Sequence, residues 1–278
     1  MTETTMRKVR SANIHVEGAC NYDCAHCFSR CLAKQRKTPN EWIGHLEHLK
    51  SIGITKINLA GGEPMMYPYI FEMCELIKSM GFTVSIVSNG SLIDEDSIKR
   101  LSKTVSWIGL SIDSPDEEDE ISIGRHSKNN NHLEHIIQVA DWAHENGMKV
   151  KLNITVIRQS WYKDFRAIIE RIRPERIKAF RALTLKDSND GRPDTWSVSK
   201  EQYADFKRRH DGITGIVFED NFDMIGSYVM FDPLGRWMVN NDGIERFLPF
   251  EQFCREGLES MVDVDRYYGR NGFYKWGE

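Results

Sequence analysis

Short segments that alternate hydrophobic and polar residues recur along the chain as far as residue 183, separated by longer amphipathic stretches. The two-residue period of the short segments is typical of strands, and the stretches between them have helical period. The predicted strands are 11–18, 55–62, 82–90, 105–113, 149–157 and 175–183, and the helices include 40–53, 69–81 and 132–147. Gly53, Gly81 and Gly147 stand at the ends of these helices, where glycine commonly caps.

Repeated strand–helix units predict an α/β fold with a parallel sheet and outer helices. A closed barrel takes eight units and about 250 residues, but here the alternation stops near residue 210. We therefore predict an open, six-stranded partial barrel over 1–210. Residues 211–278 are predicted to form a C-terminal extension that packs on the barrel as one structural unit and covers its open mouth. The alternative is a doubly wound sheet, but no G-x-G-x-x-G motif follows the first strand.

Composition and charge narrow the functional classes. The 278 residues carry a formal net charge of −4, so we expect no nucleic-acid partner. Neither a membrane-spanning apolar run nor the core of a signal peptide is found, which predicts a cytoplasmic protein without membrane attachment. In that compartment clustered cysteines bind metal more often than they form disulfides. Two isolated cysteines, Cys74 and Cys254, are predicted to be buried thiols.

Three cysteines form a C-x3-C-x2-C array, "CNYDCAHC", in the loop after the first strand: Cys20, Cys24 and Cys27. A structural zinc site usually takes four ligands in paired knuckles, and no second pair follows. An iron–sulfur cluster also usually takes four thiolates, so three would leave one iron open to a substrate or cofactor. Cys31 is the alternative fourth ligand.

Several cations share the inward faces of three predicted strands. Lys56 lies two residues before Asn58, Lys151 two before Asn153, and Arg176 two before Lys178, while apolar residues such as Ile57 and Leu152 alternate with them. Buried unpaired cations cost several kcal/mol each. Two interpretations remain open: internal carboxylates pair with the cations, or the barrel binds a polyanion such as a triphosphate.

The cysteine array followed by Phe28, together with "GGEP" at the end of the second strand, resembles the radical S-adenosylmethionine (SAM) enzymes. The resemblance implies a radical-SAM partial (β/α)6 barrel. It also implies a [4Fe-4S] cluster held by the three cysteines, with the methionine amino and carboxylate groups of SAM on the fourth iron. Phe28, Gly61, Gly62 and Glu63 are then cofactor-binding residues, the glycine loop binding the methionine amino group.

The segments "VSIVSNGSLI", "SIDSPDEEDEISIGR" and "RNGFYKW" resemble, more narrowly, the viperin family. In that family a ribonucleoside triphosphate, usually CTP, loses its 3′-hydroxyl and gains a 3′,4′ double bond after abstraction of the C4′ hydrogen. The product terminates RNA chains, which implies an antiviral or anti-phage role. Ala60 stands where the family has a serine, which leaves CTP as the first substrate and UTP as the second.

The family resemblance also implies roles for individual residues. Ser111 and Arg125 match a pair that binds the carboxylate and ribose of SAM, and Tyr228 matches a tyrosine that returns a hydrogen atom to the product radical. The predicted nucleotide-binding residues are Asn13, Lys56, Asn89, Lys151, Arg176, Lys178 and Arg270. We expect a monomer that receives electrons from a reductase or flavodoxin-type donor. The amphipathic membrane helix of vertebrate members is missing, and the vertebrate tail is cut short at Glu278.

Two rival functions remain. The first is a radical SAM enzyme that acts on a peptide or builds a cofactor, although many of those carry further cysteine clusters near the C-terminus, where this chain has Cys254 alone. The second is a non-catalytic module that binds zinc or transfers electrons.

Overall fold

A computed structural model describes residues 8–126, 131–182, 184, 186, 189–191, 194–242, 244–258 and 262–274. All six predicted strands are present, with ends that differ by one or two residues. The strands are β1 (Ser11–Glu17), β2 (Lys56–Gly61), β3 (Thr83–Ser88), β4 (Val105–Ile112), β5 (Lys149–Val156), β6 (Arg176–Arg181), β7 (Ile216–Glu219), β8 (Met230–Phe231), β9 (Trp237–Val239) and β10 (Arg246–Leu248).

Helices connect the strands and carry the local signals expected of their ends. At the start of the first helix, the backbone N–H of Thr38 donates to the Glu41 carboxylate at 2.8 Å, as in a capping box. Gly53 and Gly81 have φ of 89° and 88°, so each follows its helix in the left-handed region that glycine favours. The helices are α1 (Pro39–Ser51), α2 (Ile70–Ser79), α3 (Glu95–Leu101), α4 (Glu117–Ser122), α5 (His132–Glu145), α6 (Arg166–Ile172), α7 (Lys200–Arg209), α8 (Asn221–Met224), α9 (Phe250–Glu256) and a last helix, Val264–Gly269.

The strands join in one ten-stranded sheet of order β10-β9-β8-β1-β2-β3-β4-β5-β6-β7. Strands β1 to β7 are parallel neighbours in chain order, and β8 lies parallel along the other side of β1. Strands β9 and β10 are antiparallel additions at that edge. Because parallel strands end at the same edge, the loops after β1, β2, β3 and β4 gather there.

Alternation along each strand divides the core from the interior of the barrel. Ile57, Leu59, Leu152 and Ile154 are fully buried against the helices, and burial of each such side chain contributes about 1.5–3 kcal/mol. The alternate residues of the same strands are polar and face the concave side. The apolar pattern that specifies the sheet therefore also places a polar set of side chains inside it.

The parallel sheet continues beyond residue 210, contrary to the predicted end of the alternation. After α7, β7 pairs parallel with β6. The sequence pattern did not predict β7 because the strand has only four residues, and the first three of them are only partly buried. Residues after 210 thus add strands at both edges of the sheet, while the domain boundary itself stays a prediction. Within the described ranges, no helix has the length and apolar character that a bilayer crossing needs.

Candidate active site

The cysteine loop leaves the carboxyl end of β1 and contains thiols of different exposure. Cys24 is buried, Cys27 is half-buried and Cys20 is exposed. Desolvation raises the pKa of all three thiols, and repulsion between them raises the pKa of Cys24 and Cys27 further. Because burial disfavours the thiolates, a bound metal centre is what would hold these groups deprotonated.

The donor set fits a cluster better than a single ion. Within the described part of the chain, no three His, Cys, Asp or Glu side chains stand close enough to hold one metal ion. Cysteines that each bind a different iron do not need to stand as close as the ligands of one ion, and three thiols in one loop are a donor set that a [4Fe-4S] cluster accepts. The Tyr22 backbone N–H and the Asn89 amide approach the Cys20 sulfur at 3.4 and 3.7 Å. Phe28, just after the array, is 37% exposed.

The glycine loop after β2 lies directly on the cysteine loop. A Cβ on Gly61 would be 2.2 Å from the Glu17 carbonyl oxygen, and a Cβ on Gly62 would be 2.2 Å from that of Ala19. Only glycine permits the two loops to approach so closely. At this distance the Gly62 N–H donates a hydrogen bond to the Glu17 carbonyl at 2.7 Å. The two loops therefore form one rigid rim at this edge.

Glu63 is fully buried and joins the loops after β2 and β3. Its carboxylate accepts hydrogen bonds from the Ser88 hydroxyl at 2.7 Å, the Asn89 N–H at 2.8 Å and the Met65 N–H at 3.0 Å. Burial nevertheless raises its pKa. Glu63 thus connects the loops after β2 and β3, and its binding to the cofactor stays a prediction.

Arg125 lies beside the cysteines inside a buried network of charges. Its Nε donates to Asp113 at 2.6 Å and lies 3.4 Å from a Glu120 oxygen, and the His26 ring lies 3.2 Å from the same Asp113 oxygen. The guanidinium holds the pKa of Asp113 well below its usual range, with a smaller contribution from His26, against the opposing effect of burial. The network fixes Arg125 where its charge acts on all three thiols.

Ser111 lies half-buried on the inward face of β4, at the same end of the sheet as Arg125. A ring nitrogen of buried His132 lies 3.1 Å from the Ser111 carbonyl oxygen, and the other lies 3.2 Å from the Tyr22 hydroxyl. Burial, with a smaller effect of Arg125, lowers the pKa of His132 to about 3. The neutral imidazole thus links β4 to the cysteine loop, a connection that sequence reasoning missed.

A second polar region occupies the amino-terminal half of the strands. It is a cavity lined by residues that include Ser11, Asn13, Lys56, Asn58, Ser85, Trp107, Lys151, Lys178, Tyr228 and Arg270. Burial, reinforced by repulsion from Arg176 and Lys178, lowers the pKa of Lys56 to about 7. Burial and neighbouring cations lower the pKa of Lys151 well below its ordinary value. The predicted cations therefore converge in one place.

One of these cations has a buried nitrogen atom without a partner. Within the described residues, the buried Nε of Arg176 has no acceptor. Lys151 is repelled by Lys178 and Lys56, against a weaker attraction to Glu219. Another Arg176 nitrogen donates to the Asn271 carbonyl at 2.6 Å. Such groups indicate a place where an anion would be bound.

Glu219 at the end of β7 is the carboxylate that sequence reasoning missed. It forms an ion pair with Lys178, and its other oxygen accepts from the Tyr228 hydroxyl at 2.6 Å. Burial lowers the pKa of Lys178 to about 8, while Glu219 opposes that effect. Among the described residues, Glu219 thus pairs with Lys178 and also lies 4.0 Å from an Arg270 nitrogen.

The C-terminal segment reaches the same cavity. Arg270 is buried, donates to the Ser227 hydroxyl at 2.8 Å and stacks 3.5 Å from the Tyr228 ring centre. The Tyr274 hydroxyl lies 2.5 Å from the Lys56 nitrogen, and its ring centre lies 4.0 Å from the Arg176 guanidinium. Trp276, part of the motif that suggested the family, lies outside the described residues.

The structure separates two residues that were predicted together as nucleotide ligands. Asn13 lines the cationic cavity and accepts from the Asn58 amide at 2.9 Å. Asn89 lies at the other end, where its amide donates to Asn21 at 2.9 Å beside Cys20. Elsewhere, Cys74 is buried as predicted, but the prediction of a buried thiol is wrong for Cys254, which is exposed on α9.

Comparisons with known proteins agree with this arrangement. The family model of the radical SAM superfamily matches residues 15–172. The chain is 61% identical over 276 residues to the S-adenosylmethionine-dependent nucleotide dehydratase of Thermoplasmatales archaeon (strain ISO4-H5), with 99% of both chains covered. It is 30% identical over 280 residues to the protein of that name from Flammeovirga pacifica, with 96% of both covered. It is 29% identical to the S-adenosylmethionine-dependent nucleotide dehydratase RSAD2 of Oncorhynchus mykiss, covering 96% of this chain and 80% of the relative.

Solved structures show the same fold. Streptococcus suis SuiB bound to S-adenosylmethionine matches 97% of this chain and 69% of its own, with a TM-score of 0.69 and 14% identity. The enzyme anSMEcpe with bound AdoMet matches 94% of this chain and 82% of its own, with a TM-score of 0.65 and 15% identity. The fold is therefore the partial barrel of radical SAM enzymes.

The chain belongs to the radical SAM superfamily and, within it, to the S-adenosylmethionine-dependent nucleotide dehydratases. It is accordingly an enzyme whose cofactors are a [4Fe-4S] cluster and S-adenosylmethionine.

Proposed function

We propose that this enzyme removes water from a ribonucleoside triphosphate and forms the 3′-deoxy-3′,4′-didehydro nucleotide, with CTP as the first candidate and UTP as the second. The observation that carries the proposal is the convergence of five cations, Lys56, Lys151, Arg176, Lys178 and Arg270, whose charges repel one another in one cavity. A triphosphate would bring several negative charges to this set. The names of the relatives support a nucleotide as the substrate.

The proposed roles divide along the strands. Cys20, Cys24 and Cys27 would hold the cluster, and Phe28, Gly61, Gly62, Ser111 and Arg125 would bind SAM beside it, with Glu63 and Asn89 holding the rim. When bound, cluster and SAM together supply the radical that takes a hydrogen atom from the sugar. At the other end, Asn13 and the cations would bind the nucleotide and hold its sugar facing the cofactor.

Tyr228 is proposed as the hydrogen-atom donor of the later step. Its hydroxyl donates a hydrogen bond to Glu219 at 2.6 Å and accepts one from Lys178 at 3.3 Å. The phenol therefore lies among the residues proposed to bind the phosphates. Burial raises its pKa, which keeps the phenol protonated at neutral pH. A protonated phenol retains the hydrogen atom that this role needs.

The product chemistry suggests a biological role. A nucleotide that lacks the 3′-hydroxyl cannot be extended by a polymerase, so the product would stop RNA synthesis. We propose antiviral or anti-phage defence on this basis, with a reductase or flavodoxin-type protein as the electron donor to a monomeric, cytoplasmic enzyme.

Product analysis tests the reaction. The reduced, reconstituted enzyme is incubated with SAM and each of the four ribonucleoside triphosphates, and products are identified by mass. We expect 5′-deoxyadenosine together with a nucleotide that has lost one water. Deuterium at C4′ of the nucleotide should appear in 5′-deoxyadenosine. Transfer from another sugar carbon, or 5′-deoxyadenosine formed with none of the four triphosphates converted, would contradict the proposal.

A further inference from the structure

His15 occupies a level of the barrel between the two regions described above. On the inward face of β1, Ser11 and Asn13 line the cationic cavity. His15 follows two residues later, about 7 Å closer to the carboxyl end, and the cysteine loop begins after Glu17. The side chain therefore stands between the place for phosphates and the place for the cofactor.

The His15 imidazole is buried without a partner. The residue is 3% exposed, and its Nδ1 has no hydrogen-bond partner among the described residues. Burial alone lowers its pKa to about 4, so the ring is neutral at physiological pH. A neutral imidazole presents one N–H donor and one acceptor. A buried polar atom without a partner is costly, which indicates that a ligand atom meets it.

A second buried polar group, on β5, is also unpaired. Asn153 is 7% exposed, and its side-chain oxygen has no partner within the described chain. Asn153 follows the cavity residue Lys151 by two positions, as His15 follows Asn13. Its amide nitrogen lies 3.3 Å from where a Cβ on Gly109 would stand, and Gly109 lines the cavity. Two unpaired polar groups thus lie just beyond the cavity residues of their strands.

A sugar fits this level, on the basis of the proposed function. With the phosphates among the cations and the reacting C–H facing the cofactor, the sugar of the nucleotide lies between them and presents hydroxyls that both donate and accept. We propose that His15 is a specificity-determining residue that hydrogen-bonds a sugar hydroxyl of the nucleotide. Through this contact the enzyme distinguishes a nucleotide that carries this hydroxyl from one that lacks it.

Anaerobic calorimetry on the reconstituted enzyme tests this contact by a double comparison. CTP, 2′-deoxy-CTP and 3′-deoxy-CTP are titrated into the wild type, His15→Leu and His15→Gln. In the wild type, loss of the contacted hydroxyl should weaken binding by about tenfold. His15→Leu should bind that deoxynucleotide and CTP with equal affinity. His15→Gln, which keeps a donor and an acceptor, should restore part of the discrimination.

The outcomes separate this inference from the proposed function. Wild-type enzyme that binds no triphosphate refutes the proposed function itself. Wild-type enzyme that binds CTP, with His15→Leu discriminating both hydroxyls as the wild type does, refutes the role of His15 alone. Weaker SAM binding in His15→Leu with unchanged CTP binding also refutes it. If His15→Leu does not fold, His15→Ser replaces it, because the short hydroxyl cannot span the same distance.

Discussion

The two buried charged regions lie at opposite ends of the same strands and differ in how their charges are compensated. Near the cysteines, Arg125 contacts both Asp113 and Glu120, and Glu63 accepts three hydrogen bonds. In the cavity, Glu219 pairs with Lys178, and Lys151 is repelled by Lys178 and Lys56 against a weaker attraction to Glu219. In the first region opposite charges meet within the protein, and in the second we expect an anionic ligand to meet the cations.

The comparison shows why buried charged residues can have different roles at the two ends of one barrel. A paired buried charge fixes loops in place, and loss of one partner leaves the other uncompensated. An unpaired set of like charges weakens the free protein and becomes favourable when an anion enters. On the proposed function, the rim would position the cofactor and the cavity would select the substrate by charge.

The largest effect is expected from the cysteines. Cys24→Ala should abolish the iron–sulfur absorbance and all cleavage of SAM, because the cluster loses one of three protein ligands. Cys31→Ala is the matched control and should keep both. Iron content, the visible spectrum and 5′-deoxyadenosine formation check this prediction. A full cluster in Cys24→Ala, or none in Cys31→Ala, would overturn the assignment.

Breaking the paired region should destabilise the protein. Asp113→Asn removes the carboxylate that compensates the buried Arg125, and we expect a loss of about 3–5 kcal/mol in the free energy of unfolding. The same substitution at Asp242, in an exposed ion pair with Arg246, should cost much less, because water screens that pair. Denaturant unfolding of both variants provides the comparison. Equal losses would mean that the network is not a structural brace.

Removing a charge from the cavity should have the opposite effect and stabilise the protein without nucleotide. Lys151→Met removes a buried cation that other cations repel, so the free protein should melt at a higher temperature. For a protein of this size each kcal/mol gained corresponds to about 2–4 °C. Thermal unfolding without nucleotide measures the shift. A lower melting temperature would show that the Lys151 charge has a compensating partner.

A smaller effect is expected on the number of protons that the enzyme takes up when the nucleotide binds. The pKa values of Lys56 and Lys178, about 7 and 8, lie below the ordinary lysine value because of burial. A bound triphosphate raises both, so binding at pH 8 should take up roughly 1–1.5 protons, and affinity should fall as pH rises above these values. Titrations in buffers of different ionisation enthalpy measure the uptake.

Lys56→Arg provides the control for this uptake. The guanidinium of arginine stays charged at pH 8, so the variant should take up fewer protons than the wild type. Zero uptake by the wild type at pH 8 would contradict the account of the cavity.

Much of the cavity was predictable from the sequence because strand alternation fixes which side chains face inward. Lys56, Lys151 and Lys178 follow directly from that period. Glu219 escaped prediction because β7 is short and follows the last clear strand–helix unit. The residues on either side of it, Phe218 and Asp220, do not show the alternation of apolar and polar positions that would indicate a strand.

The rim was less predictable, since its contacts are made by loops. The spacing of the cysteines and the two glycines indicates a site, yet no periodicity shows that Glu63 is satisfied by Ser88 and Asn89. The pairing of Arg125 with Asp113 likewise depends on tertiary structure, with a strand end meeting the loop after α4. Asn89 was assigned to the nucleotide for the same reason, because sequence did not show which end of the barrel it faces.

Calorimetric titration of CTP, CDP and CMP into the wild type and Lys151→Met tests the central claim most directly. If the unpaired cations form a triphosphate site, loss of the γ-phosphate removes one or two charge-assisted contacts of about 1.5–3 kcal/mol each. Wild-type affinity should then fall by roughly tenfold to several-thousandfold from CTP to CDP, and Lys151→Met should weaken CTP binding far more than CMP binding. Equal wild-type affinity for CTP and CMP would contradict the account.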